Sequence, residues 1–80
     1  MASKEDLHDW VADAIRAHGG KAKLVQVAKY IWDNYEAELK RSGNLLYTWQ
    51  YDMRWAANAL RNQGVLRSAD ASPRGLWELK

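Results

Sequence analysis

Residues 64–80 read GVLRSADASPRGLWELK, and this stretch decides the fold. It holds the chain's only proline, Pro73, with Arg74 and Gly75 directly after it. Residues 65–67 read as a short strand and 76–79 as another, with a turn-rich connection over 68–75 between them. Pro73 biases Ser72 towards extended geometry, and Gly75 supplies backbone angles that other residues avoid. Two strands joined in this way predict a β-hairpin. An isolated hairpin is marginal in water. Trp77 and Leu79, on one face by alternation, are therefore expected to pack on whatever precedes them.

What precedes them is helical. Leu7, Trp10, Val11, Ala14, Ile15 and His18 recur at one helical spacing, and that stripe predicts a first helix opened by Ser3. Gly19 or Gly20 ends it in a left-handed cap. Residues 21–24, KAKL, form either a first strand or an extended link. A second helix over 25–41 follows from Val27, Ile31, Tyr35 and Leu39, four apart, and RSGN breaks it. A third helix runs from Thr48, as N-cap, to Gln63. Trp49, Met53, Ala56 and Leu60 are its core side. The order helix, short strand, helix, helix, strand, loop, strand defines an α+β fold. It is that of a small winged helix-turn-helix, with three helices, a C-terminal β-hairpin and the 68–75 connection as the wing.

Eighty residues make one domain, expected to span 1–80. With no cysteine, no disulfide or thiolate-bound metal supports the core. Five Trp and four Tyr must supply the buried area instead. No apolar run reaches the ~20 residues of a membrane span, and the charged N-terminus lacks an apolar signal core. A cytoplasmic protein is the expectation. Charge is unevenly spread. Residues 1–18 carry Lys4 and Arg16 against Glu5, Asp6, Asp9 and Asp13, whereas residues 19–80 hold ten basic and six acidic side chains. A protein that docks on a polyanion is expected to turn an acidic element away from it. Ordinary solvation and helix-dipole matching explain an acidic first helix equally well.

MRWAANALRNQGVL (53–66) and RGLWEL (74–79), with GGKAKL after the first helix and VAKYIW behind it, resemble the N-terminal winged-helix domain of Mrr-type restriction endonucleases. The likeness rests on Arg54-Trp55-Ala56, Leu60 and Gly64 in the third helix, and on Arg74-Gly75 with Trp77 in the hairpin. The resemblance implies DNA binding, in systems that recognise modified or foreign DNA. It also implies a structural role for Trp55 at the core edge beneath the wing, and Trp10 and Trp77 are likewise expected in the core. In that family the winged helix precedes a separate nuclease domain; the resemblance covers the winged helix alone and leaves cleavage in doubt, the chain being either a stand-alone protein or a fragment of a larger one.

Stepping about 100° per residue along the third helix gathers Gln50, Tyr51, Arg54, Asn58 and Arg61 on one outer face, with no acidic residue among them. Arg pairs with guanine, and Asn or Gln with adenine, across the major groove. The N-terminal part of a recognition helix goes deepest, so Gln50, Tyr51 and Arg54 rank above Arg61. Thr48, at the helix start, offers a hydroxyl to a phosphate. Arg74 in the wing and Arg67 before it are candidates for phosphate or minor-groove contact, where cations gain from counterion release. Lys21 is a further phosphate candidate near the second helix, and Lys23 reads as decoration of an exposed strand. The partner expected is double-stranded DNA, bound alone, as a homodimer, or within a larger nuclease or regulatory complex. The competing class is a protein-docking or dimerisation module using exposed aromatic surface.

Catalysis is not expected. Asp70 and Glu78-Leu79-Lys80 echo the D…ExK pattern of metal-dependent nucleases, but they sit too close together and lack a central sheet to present them. His8 and His18, ten apart on one helix, do not match metal-ligand spacing. No phosphate-cradling loop or nucleophile motif occurs, and no cofactor is expected.

Overall fold

The computed structural model describes residues 2–68 and 75–80. In chain order the elements are α1 (Asp6–Ala17), β1 (Lys21–Lys23), α2 (Leu24–Lys40), α3 (Leu45–Asn62) and β2 (Leu76–Glu78). The three helices and a two-stranded antiparallel sheet form a small α+β fold around one core. α1 packs on both α2 and α3. Leu7, Val11 and Ile15 from α1, Val27, Ile31 and Leu39 from α2, and Met53, Ala56 and Leu60 from α3 fill the centre. These are the residues of the three helical stripes. No helix among the described residues is long and apolar enough to cross a membrane.

α1 and α3 stop by the same device. His18 caps α1. Gly19 N–H then donates to the Arg16 carbonyl and Gly20 N–H reaches back to Ile15. In α3, Gly64 N–H donates to Arg61 and Val65 N–H to Leu60. Both are Schellman motifs, which need a left-handed residue just past the cap. Gly64 supplies it with φ +81°.

α1 begins at Asp6 rather than at Ser3. Ser3 N–H donates to the Asp6 carboxylate at 2.9 Å and the intervening residues form a turn. α2 opens one residue before the expected boundary, and the Gln26 side chain accepts the Lys23 N–H at 2.8 Å. It bends at Tyr35 (φ −126°, ψ 15°). Just before the bend, the Asn34 side-chain amide donates to the Tyr30 carbonyl at 2.8 Å. That bond competes with the helical one at the same acceptor.

The hairpin expected over 65–79 is only partly formed. Along one edge the last strand pairs with β1, in the register Lys21↔Glu78, Ala22↔Trp77, Lys23↔Leu76. Residues 65–67 add a single bridge, Leu66↔Leu79, with Arg67 N–H donating to Glu78 and Lys80 N–H to Val65. The reason lies in the helix end. The Val65 N–H is taken by the Leu60 carbonyl, so the pairing on this edge does not extend beyond the one bridge. The sheet still does what the sequence asks. Ala22 and Trp77 face inward and are buried, and Leu79 packs against the core.

Candidate nucleic-acid interface

α3 starts three residues before the expected N-cap. Leu45 extends the Trp49–Met53–Leu60 stripe and is buried, so the helix gains apolar burial by beginning there. Thr48 is consequently inside the helix and does not cap it. Its hydroxyl donates to the Asp52 carboxylate at 2.9 Å on the exposed side of the helix.

The core side of α3 lies against α1 and α2, and the opposite side is open. Gln50, Tyr51, Arg54 and Asn58 are all exposed there. Gln50, Tyr51 and Arg54 have no side-chain hydrogen bond or ion pair among the described residues. Arg61 differs. It is half-buried, its Nη1 donates to the Asn58 side-chain oxygen at 3.1 Å, and its Nε is buried without a partner among the described residues. Arg61 is thus held against the protein, whereas Arg54 is exposed and without a partner among the described residues.

Lys21 and Lys23 flank the inward Ala22 and share the outer face of the sheet, with Lys21 opposite Glu78. Both are exposed, as is Arg67. Arg74 lies outside the described residues.

Trp55 is not in the core. It is 41% exposed, because it lies outside the arc of Trp49, Met53, Ala56 and Leu60 and meets the first turn of α1 and the residues before it. Its contacts come from the chain before and within α1. The His8 ring meets it edge-on at 5.1 Å, and the Lys4 ammonium sits 5.0 Å from its centroid. Trp10 and Trp77 are buried as expected, and so is Trp49. His18 remains exposed, with Nδ1 hydrogen-bonded to the Ala14 carbonyl.

Two features of this surface escape the sequence reading. Tyr47, brought into α3 by its earlier start, is 84% exposed. Val25, near the start of α2, is 75% exposed. Val25 and Ala28 form one wall of an open groove of about 480 Å³ whose other wall is Gln50, Tyr51 and Arg54. A second groove of about 520 Å³ continues along the α2–α3 seam past Trp32 and Trp49, whose rings stack at 6.1 Å. The signal for Val25 was present in the sequence. It lies two residues from Val27, and that spacing puts it across α2 from the buried stripe.

Among the described residues no three His, Cys, Asp or Glu side chains gather in a way that could hold a metal ion. Compared with protein-family models, with curated proteins and with solved structures, the chain matches none of them.

Proposed function

We propose that this protein is a winged-helix module that binds double-stranded DNA without cleaving it. In this reading α3 enters the major groove and the 68–75 connection runs along the backbone or the minor groove. The observation that carries the reading is the trio Gln50, Tyr51 and Arg54: exposed, unpaired within the described residues, and on a face of α3 to which the helix contributes no carboxylate. These side chains have the donors and acceptors that read base edges. Lys21, Arg67 and Arg74 are the matching phosphate partners. The succession of helices and strands, and the resemblance to Mrr-type N-terminal domains, support the same conclusion.

The test is fluorescence anisotropy with mixed-sequence duplexes over a range of salt concentrations. Contact with a handful of phosphates predicts a log–log salt slope of around −3 to −5. Arg74→Ala weakens binding to all sequences alike and makes that slope shallower by about one. Failure to bind any duplex at low salt rejects the reading.

Protein docking is the second reading, favoured by the exposure of Val25, Tyr47 and Tyr51. Exposed apolar surface of this kind marks interfaces. A docking module gives no salt-dependent duplex affinity, so the same titration separates the two.

A further inference from the structure

The groove between α2 and α3 combines two chemistries. One wall is apolar, made by Val25 and Ala28, and Met53 lies at its base. The other carries Gln50 and Arg54, with the Tyr51 ring beside them. Val25 and Tyr51 are 75% and 77% exposed. A β-branched apolar side chain left in water beside two base-reading groups calls for an occupant that is polar on one edge and apolar at one point.

Charge narrows the choice. The first turn of α2 contains no acidic residue, and the exposed Lys21 and Lys23 lead directly into it. A polyanion is therefore suited to the Val25 side of the groove. When α3 reads base edges, α2 lies over the adjoining sugar-phosphate backbone. The base atom that meets the seam between the two helices is the one at the edge of the major groove nearest its own strand. For thymine that atom is the C5 methyl, the apolar group a pyrimidine of unmodified DNA displays there.

We propose that Val25, with Ala28 beside it, reads the C5 methyl of a thymine next to the base held by Gln50 or Arg54. This rests on the duplex-binding reading and adds a specificity to it. Val25 then acts as a base-contacting residue on α2, and the recognition surface includes both helices.

The test uses two libraries of mixed-sequence 20-base-pair duplexes, one synthesised with thymine and the other with uracil in its place. The hydrogen-bonding edges are identical and only the methyl differs. Removing one buried methyl weakens binding about three- to fourfold. The thymine library is therefore expected to bind that much more tightly, and Val25→Ser is expected to abolish the difference. Val25 is outside the core, so this substitution leaves the fold intact, which circular dichroism checks. Equal affinity for the two libraries overturns the proposal while leaving duplex binding standing, and so does a thymine preference that survives Val25→Ser. Recovery of full affinity by 5-methylcytosine in the uracil library overturns thymine as the occupant. Binding of neither library overturns this proposal together with the function it rests on.

Discussion

Arg54 and Arg61 lie two helical turns apart on the same side of α3, yet they are placed to do different things. Arg61 lies against the helix and is bonded to Asn58, so part of its capacity to donate is already used. Arg54 is exposed, without a partner among the described residues, and nearer the helix start. An arginine reading a guanine contributes about 1–3 kcal/mol of discrimination. Arg54→Ala is therefore expected to weaken duplex binding and flatten sequence preference, measured by selection from a random library, with no change in the circular dichroism spectrum. Unchanged affinity and preference would remove Arg54 from the interface. Thr48 teaches the complementary lesson. A threonine ahead of an amphipathic run has the chemistry of a cap, but burial of Leu45 draws the helix past it, and its hydroxyl goes to Asp52.

At the scale of the element, α3 has one face committed to stability and one left open, and substitutions on the two should separate. Leu60 is almost fully buried, and Leu60→Ala leaves a cavity that costs about 2–5 kcal/mol. Trp55 is larger, but it is partly exposed and held by an edge contact with His8 and by the Lys4 ammonium. Trp55→Ala is expected to cost about 1–2 kcal/mol, well short of a buried tryptophan. Denaturant titration of both variants checks the order. If the Trp55 variant is the less stable, the assignment of the two faces is wrong. α2 shows how an element can be legible while its shape is not. Its apolar spacing predicts a helix, but the bend at Tyr35 comes with the side-chain bond from Asn34 to Tyr30, which periodicity does not register.

At the scale of the whole molecule, the bend puts the Tyr35 ring flat on Trp10, 4.2 Å between centroids, and ties α2 to α1. Burial raises the Tyr35 hydroxyl above its ordinary value of 10.0, and the negative charges of Asp13, Tyr30 and Asp9 add to the shift. The folded protein therefore holds this proton after the unfolded chain has released it. Its contribution to stability is complete below about pH 10 and declines as pH rises beyond that. Thermal melts at pH 8 and pH 11 are expected to show a smaller alkaline loss for Tyr35→Phe than for the parent. Equal losses would mean that Tyr35 ionises as freely folded as unfolded. Across the molecule, the acidic side chains of α1 belong to the helix that packs on the core side of α3, and the cations Lys21, Lys23, Arg54 and Arg67 are exposed on the sheet and on the open side of α3.

Periodicity in the chain specified three helices, the residues that fill the core, and the polar outer face of α3, because a repeat of about 3.6 residues encodes burial locally. The glycines at 19 and 64 marked two helix ends for the same local reason. The choice of strand partner was not local. β2 pairs along one edge with β1, more than fifty positions away, while the nearer candidate adds only a bridge on the other edge, because its Val65 N–H is committed to the end of α3. The groove of Val25 with Gln50 and Arg54 was likewise invisible in one dimension. It exists only where α2 and α3 pack together, and contacts between distant segments follow from the geometry of the assembled core and not from any spacing along the chain.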